Sequence, residues 1–221
     1  MGHTHNGRTM RPGRSLLTLW FLLLSGVVLL SGFAAAYDRF PADLWLAHRL
    51  QDIDAVAFVR ALDWAEDLAD TPWIAIVWAG GIAALAVTAR RWEALLLLAA
   101  VFARLLNSAA KELVDRPRPS DDLVAVGDRP ASPAFPSGHA DAALVLYGLL
   151  FYFITLFVPQ RGLRLLGQAA CLWVILFTGM ERVYVGAHWP SDVIGGYYLG
   201  GLVVAAVIAA HRLLAARRQG E

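Results

Sequence analysis

Apolar positions fall into long runs along the chain, and polar residues collect in the segments between them. A helix needs roughly 20 residues to cross the hydrocarbon core of a bilayer. Runs near that length occur over about 15–36, 73–88, 93–111, 139–158, 165–180 and 192–213. The pattern therefore predicts an all-α integral membrane bundle of six transmembrane helices.

The first apolar run, 15–36, fits two interpretations. It ends in Ala34, Ala35 and Ala36, which resemble a signal-peptidase site. The run is longer than the roughly 7–15 residues of a typical signal-peptide core, which favours a retained first helix.

The next segment, 38–71, interleaves leucines, tryptophans and valines with acidic residues. Such mixing is typical of helices that lie in the membrane interface, so we predict an interfacial helical segment of one or two helices after the first span. Thr71 is a predicted N-cap, with Pro72 at the first position of the helix that follows.

The distribution of arginines predicts the orientation of the bundle. Short segments between or beside spans are rich in arginine on one side, and cytoplasmic loops carry the excess of cations. This favours an N-in/C-in topology with cytoplasmic tails over 1–14 and 214–221 and a six-span domain over 15–213. The segments 38–71, 112–138 and 181–191 then share the extracytoplasmic face. The arginines on the predicted cytoplasmic side are Arg8, Arg11, Arg14, Arg90, Arg91, Arg161, Arg164, Arg212, Arg217 and Arg218.

Composition narrows the classes of function. The chain is 58% hydrophobic with a formal net charge of +1, so nothing in it indicates a nucleic-acid partner. Cys171 is the one cysteine of the sequence, which excludes an intramolecular disulfide and a cysteine metal cluster.

Nineteen residues are lysine or arginine, and Lys111 is the only lysine. A compact ammonium at that position is a candidate functional group, because lysine and arginine are not interchangeable.

Three polar clusters, over 111–119, 136–139 and 182–192, fall on the predicted extracytoplasmic face. Phosphoryl transfer needs fixed cations and N–H donors around three equatorial oxygens. Arg118 and Arg182 can each bind a phosphate through two N–H groups, and Lys111 adds a point charge. Ser137 and Gly138 begin a predicted helix, whose free N–H groups form an anion site.

Two histidines in these clusters suit the remaining chemistry. A neutral imidazole can attack phosphorus when a carboxylate holds its other nitrogen, and Asp192 follows His188 by four residues. His139 can give a proton to the leaving oxygen.

The motifs K-x6-RP, PSGH and R-x5-H-x3-D, in this order, resemble those of the phosphatidic acid phosphatase type 2 superfamily over about 90–212. The resemblance implies a covalent phosphohistidine on His188, oriented by Asp192, with His139 as the acid. It implies that neither a metal nor a cofactor is needed. The residues that would hold the phosphate are Lys111, Arg118, Ser137, Gly138 and Arg182. One position departs from the family pattern, because Glu181 stands where the third motif usually has serine.

The resemblance predicts a lipid phosphatase of the bacterial inner membrane, with its site on the extracytoplasmic side. Undecaprenyl diphosphate, phosphatidylglycerol phosphate and phosphatidic acid all fit as substrates. An alternative is a small membrane transporter or an anion-binding protein without phosphatase activity, which would need charged or broken-helix features near the midplane. Vanadate-dependent haloperoxidases share the anion pocket but are soluble, and the apolar runs argue against them.

Arg104 lies within the predicted third span, where an isolated charge costs roughly 2.5–3.5 kcal/mol on insertion scales. With Asn107, Ser108 and Lys111 it follows helical spacing, so we predict that this stripe faces the bundle interior. Two roles remain open for Arg104: support of Lys111 or a headgroup, and packing against a backbone carbonyl. The Gly196–Gly200 pair predicts a close contact between spans.

Overall fold

The computed structural model describes residues 12–219, so the predicted tail over 1–14 lies outside it except for the last three positions. Helices account for most of this stretch, and no strand occurs within it. In chain order the helices are α1 (Pro12–Ala36), α2 (Asp43–Gln51), α3 (Val56–Ala69), α4 (Trp73–Val87), α5 (Arg91–Ala103), α6 (Leu105–Val114), α7 (Gly138–Phe157), α8 (Arg161–Tyr184) and α9 (Pro190–Gln219).

Five helical stretches are long and apolar enough to cross a membrane on their own, namely Thr18–Ala36, Arg91–Val114, Gly138–Phe157, Arg161–Tyr184 and Pro190–Arg218. A sixth crossing requires α3 and α4 together, which are bent by 54° at the break between them. This arrangement confirms the all-α membrane bundle, and the protein is an integral membrane protein.

The segment predicted to be interfacial has a more specific arrangement. α2 and α3 both form there, but α3 packs along α8, where the Thr178 hydroxyl donates to the Ala65 carbonyl at 3.1 Å. α4 alone has 15 residues, or roughly 22 Å, which is short of the roughly 30 Å hydrocarbon core. The prediction of Thr71 as N-cap was wrong by one position, because Pro72 is the N-cap and makes no side-chain cap bond.

The predicted third span is also broken. α5 ends and α6 begins at Arg104, whose carbonyl accepts a tightened i+3 bond from Asn107 N at 3.0 Å. The two halves have different neighbours, because α5 packs against α4 and α9 whereas α6 packs against α1 and α7. The two halves together still form the stretch Arg91–Val114, which is long and apolar enough to cross the membrane.

α7 is the central helix and packs along both α8 and α9. Its buried face is built from alanines and large aliphatic residues, including Ala140, Ala143, Leu146 and Leu149, each with 0% exposure. Small residues also bring α9 close: a methyl group on Gly196 would meet the Ser137 carbonyl, and one on Gly200 would lie 3.0 Å from the Asp141 carbonyl. The predicted contact between spans is confirmed, and it fixes where α7 begins relative to α9.

α8 and α9 extend beyond the predicted spans. α8 begins at Arg161, ahead of the predicted run 165–180, and α9 continues to Gln219 through most of the predicted C-terminal tail. Arginine is a good helix former whose long side chain can reach polar surroundings, so a helix does not have to end where the apolar run ends.

Candidate active site

α6 ends in a sharp turn that places two of the predicted cations. Asp115 adopts the left-handed conformation with φ 48°, and its N–H donates to the Lys111 carbonyl at 2.9 Å, as at many helix C-termini. The Lys111 ammonium donates to the Pro133 carbonyl at 2.6 Å. Arg118 donates to the carbonyls of Ser132 and Ala187 at 2.8 and 2.5 Å. Both cations are thus held by loop carbonyls.

The start of α7 contributes the second cluster. Ser137 is the N-cap, and its hydroxyl accepts a long 3.5 Å bond from Ala140 N. The backbone N–H of Ser137 donates to the Asp192 carbonyl at 2.9 Å, and Ser137 is fully buried. A methyl group on Gly138 would lie 3.5 Å from Asn107 Oδ1 and 3.8 Å from Lys111 Cε. α6 therefore approaches the first turn of α7 closely.

A tight turn between α8 and α9 holds the third cluster. Gly186 has φ +69°, and a methyl group there would collide with the Ala125 carbonyl of the loop before α7. Gly127 N donates to the Val185 carbonyl at 2.8 Å, which ties the two loops together. Ala187 N and His188 N both donate to the Arg182 carbonyl, at 3.1 and 3.0 Å. The backbone around His188 is thus fixed from both sides.

The contacts of His188 assign its tautomer. Its Nε2 lies 3.1 Å from an N–H group of Arg118, and a guanidinium can only donate, so Nε2 carries the lone pair. The proton then sits on Nδ1, which faces Asp192 Oδ2 at 3.6 Å, longer than a normal hydrogen bond. That carboxylate oxygen accepts a 2.8 Å bond from Trp189 N instead. The arrangement aims the lone pair of Nε2 at the cavity.

Burial also keeps His188 uncharged. The side chain is 3% exposed, and burial lowers its pKa from 6.5 to about 4, against the opposing effect of Asp192. At neutral pH the imidazole is therefore a free base, which is the form a nucleophile requires.

Arg116 is a residue of this site that the sequence reasoning missed. It is 1% exposed and donates to Asp192 Oδ1 at 2.5 Å, to Asp43 Oδ2 at 3.1 Å and to the Ser191 hydroxyl at 2.8 Å. Arg116 thereby fixes the carboxylate that faces His188. Its place between Lys111 and Arg118, directly before Pro117, was the available signal, but no sequence pattern indicates its partner Asp43 in α2.

Arg182 lies apart from the other predicted phosphate ligands. Its three nitrogens each donate to a carboxylate: Nε to Glu181, one terminal nitrogen to Asp128 at 3.1 Å and the other to Glu66 at 3.1 Å. The residue that departs from the family pattern, Glu181, thus pairs with the neighbouring cation. Each nitrogen of Arg182 thus already binds one carboxylate.

A cavity of about 270 Å³ brings the remaining predicted residues together. Five of them lie in its wall: Lys111, Arg118, Gly138, His139 and His188. Asp192 lies directly behind His188, whereas Ser137 and Arg182 do not line the cavity. The wall also contains Asp70 and Thr71, from the break between α3 and α4, and Arg104, from the break between α5 and α6. Both histidines thus face one space.

One group beside this cavity has the composition of a metal site. Ligand atoms of Glu66, Asp70 and His139 lie within 4.8 Å of one another. His139 Nε2 is 3.7 Å from Asp70 Oδ1, and the Asp70 side chain is 51% exposed. The group can also serve without a metal, by orienting the imidazole of His139 through the Asp70 carboxylate.

Comparison with known proteins gives the family. A family model described as the PAP2 superfamily matches residues 92–215, more than half of the chain. This chain belongs to the PAP2 superfamily. The match covers all three polar clusters, so every predicted site residue of this PAP2 chain lies inside it.

Individual relatives of the PAP2 chain are lipid phosphatases by name. It is 36% identical over 118 residues to phosphatidylglycerophosphatase B of Bacillus subtilis, covering 52% of this chain and 56% of the relative. It is 34% identical over 108 residues to the lipid A 1-phosphatase of Rhizobium etli, covering 46% and 42%. The chain thus spans about half the length of these curated relatives.

A solved structure extends the likeness beyond the matched region. The crystal structure of a transmembrane PAP2-type phosphatidylglycerolphosphate phosphatase from Bacillus subtilis superposes with a TM-score of 0.67 at 26% identity. The superposition covers 85% of this chain and 95% of that one. The helical bundle of the PAP2 chain, and not its motifs alone, therefore resembles a membrane phosphatase.

Proposed function

We propose that this chain is a membrane lipid phosphatase that works through a phosphohistidine on His188. The observation that carries the proposal is the shared cavity, in whose wall both histidines lie together with Lys111 and Arg118. The uncharged ring of His188 offers the lone pair of Nε2 to this cavity, and Arg118 and Lys111 offer N–H donors for the phosphate oxygens.

The first step is transfer of the phosphoryl group to His188. A phosphate oxygen replaces His188 Nε2 as the acceptor for Arg118, which frees the lone pair. Nε2 attacks phosphorus, a P–N bond forms and the bond from phosphorus to the lipid oxygen breaks. His139 gives its proton to that oxygen, while Asp192 stabilises the positive imidazole of His188.

The second step is hydrolysis. Water attacks phosphorus as His139 takes one of its protons, the P–N bond breaks, and inorganic phosphate leaves with both histidines restored. Lys111 and the N–H groups at the start of α7, beside Gly138, hold the oxygens during both steps. Ser137 acts by capping that helix, since its hydroxyl bonds Ala140 N.

Arg182 contributes after an exchange of partners. Asp128 is the most exposed of its three carboxylate partners, with 43% of its side chain accessible. In the proposed complex a phosphate oxygen takes the place of Asp128, so Arg182 binds phosphate while Glu66 and Glu181 keep it in position.

The substrate in this proposal is an amphiphile whose phosphate reaches the cavity while its tail stays in lipid. Phosphatidylglycerol phosphate, undecaprenyl diphosphate and phosphatidic acid are the candidates. The protein lies in the bacterial inner membrane, N-in/C-in, with its cavity on the extracytoplasmic side.

Replacing the nucleophile tests the reaction. His188→Ala should lower phosphate release from lipid phosphates by at least about 1,000-fold, as expected when a covalent nucleophile is removed. The matched control is His211→Ala, since His211 lies near the other end of α9 beside Tyr152, and it should retain activity. Phosphate release and an acid-labile, base-stable phosphoprotein are measured together. Normal turnover in His188→Ala would end the proposal.

A chelator tests the metal requirement. The mechanism uses no metal, so activity should survive EDTA. Complete loss that a divalent ion restores, and that Asp70→Asn makes permanent, would assign the Glu66, Asp70 and His139 group as a metal site instead.

A further inference from the structure

Arg104 lies in the wall of the same cavity, at the break between α5 and α6. Asn107, one turn later on α6, lies beside Gly138 at the start of α7, so Arg104 is about one turn deeper in the bundle. The side chain is half-buried. A charge within a membrane-spanning segment is costly and usually marks a function.

The other cations around the site already have partners. Lys111 and Arg118 donate to loop carbonyls, and Arg116 and Arg182 are held by carboxylates. Arg104, by contrast, makes neither an ion pair nor a side-chain hydrogen bond with any residue in the described range 18–218. A guanidinium that faces a cavity without a direct ion pair can donate its N–H groups to an anionic ligand.

The depth of Arg104 decides which anion it can bind. Arg104 precedes Lys111 by seven residues, or roughly 10 Å along the helix axis. The cavity wall also includes the apolar residues Ile74 and Ala142, whereas Arg118 and His188 lie with the loops at the helix ends. The transferred phosphate must contact His188. A negative group beside Arg104 therefore lies on the membrane side of the scissile bond, where the substrate continues toward its tail.

We propose that Arg104 binds a second, non-hydrolysed phosphate of the substrate, located between the scissile bond and the lipid tail. The inference rests on the proposed phosphatase function and narrows its substrate class to lipids that carry two phosphates in series. Lipid diphosphates and glycerophospholipids of the phosphatidylglycerol phosphate type share this chemistry, and phosphatidic acid lacks it. When the bond from phosphorus to oxygen breaks, Arg104 stabilises the anionic leaving group.

A structural role for Arg104 makes a different prediction. Asp141, on α7, is 2% exposed, its Oδ2 has no hydrogen-bond partner among the described residues, and it interacts electrostatically with Arg104. No direct ion pair joins the two side chains among those residues. If Arg104 served only to offset Asp141, removing both charges would restore what removing one had lost.

Matched pairs of substrates test the proposal. Full-length protein in mixed micelles is assayed with farnesyl diphosphate against farnesyl monophosphate, and with phosphatidylglycerol phosphate against phosphatidic acid of the same acyl chains. The quantity measured is the ratio of kcat/KM within each pair. Wild type should prefer the two-phosphate member of at least one pair, and which pair responds identifies the source of the second phosphate.

Arg104→Gln should lower that ratio by about tenfold or more, the size expected for one charge-assisted hydrogen bond. Arg104→Lys should keep part of the preference for the two-phosphate substrate. It serves as the conservative control for a folding defect in Arg104→Gln. A ratio that stays within threefold of wild type in Arg104→Gln would overturn the inference. So would recovery of the wild-type ratio in Arg104→Gln/Asp141→Asn. Failure of wild type to release phosphate from all four lipids would overturn the proposed function as well.

Discussion

His188 combines a defined tautomer with an uncharged ring. The Arg118 N–H group at 3.1 Å assigns the lone pair to Nε2, and burial removes the charge from the ring. Asp192 opposes the second effect by favouring the imidazolium. In the proposed mechanism the resting ring is therefore uncharged, and Asp192 would stabilise its positive form once the P–N bond has formed, which is the difference between ground and reacting states that catalysis requires.

The ionisation of His188 gives a prediction at this scale. Burial lowers its pKa to about 4 from 6.5, so the ring should stay neutral as the pH falls through 6 and gain a proton only near pH 4. Nitrogen-15 NMR of labelled histidine, assigned with His188→Gln, should show an Nδ1–H tautomer at neutral pH. A charged ring at pH 6, or a proton on Nε2, would contradict the assignment.

Arg116 gives a second prediction. Arg116→Leu would leave Asp43 and Asp192 buried without their cation, which costs about 3–5 kcal/mol of unfolding free energy. Arg116→Lys should also weaken catalysis, since one ammonium cannot reproduce the planar fork that reaches both carboxylates.

Denaturant unfolding in detergent measures the cost of Arg116→Leu. The control is Arg129→Leu, because Arg129 pairs with Asp121 on the surface and both side chains are more than half exposed. Its change should be below about 1 kcal/mol. Equal effects of the two substitutions would show that the Arg116 network does not stabilise the site.

At the scale of elements, two broken spans shape the cavity. The α3–α4 break supplies Asp70 and Thr71 to its wall, and the α5–α6 break supplies Arg104. α5 packs on α4, whereas α6 packs on α1 and α7.

The close approach of α7 and α9 is tested by adding one methyl group. Gly196→Ala would collide with the Ser137 carbonyl and approach Ala140 Cβ to 3.2 Å, costing about 1–3 kcal/mol. Phosphate release should fall too, because Ser137 caps α7. Gly80→Ala in α4 is the matched control, since nothing lies within 4 Å of its added methyl group. Thermal unfolding in detergent should show Gly80→Ala at or above wild type. A wild-type midpoint for Gly196→Ala would refute the packing argument.

At the scale of the whole molecule, the site forms where the ends of separate helices meet. The chain leaves α6, passes through the loop before α7, and returns at the turn between α8 and α9, all at one end of the bundle. The proposed N-in/C-in orientation places that end outside the cell.

The orientation can be tested with single cysteines, because Cys171 is the only natural one. In a Cys171→Ala background, Ser120→Cys lies on an exposed loop position at the site end, and Arg217→Cys lies near the end of α9. A membrane-impermeant maleimide should label Ser120→Cys in intact cells and Arg217→Cys only after lysis. The reverse pattern would place the cavity on the cytoplasmic side.

The sequence alone determined the helical class, most of the spans and the three polar clusters. Those features are local: an apolar run of sufficient length must be helical in lipid, because its backbone polar groups have no other partners there. The motif spacing also indicated that Asp192 lies close to His188, and the structure places Asp192 in the first turn of α9, just after the turn that holds His188.

Only the tertiary structure decided the partners of the charged residues. Arg116 donates a hydrogen bond to Asp43, which is 73 positions away in the sequence, and Arg182 donates one to Glu66, which is 116 positions away. Arg104 faces the cavity without a direct ion pair, whereas Arg182 binds three carboxylates, and this difference follows from the helix packing. Charge pairing depends on distances that helix packing sets, and no local pattern encodes which helix ends will adjoin.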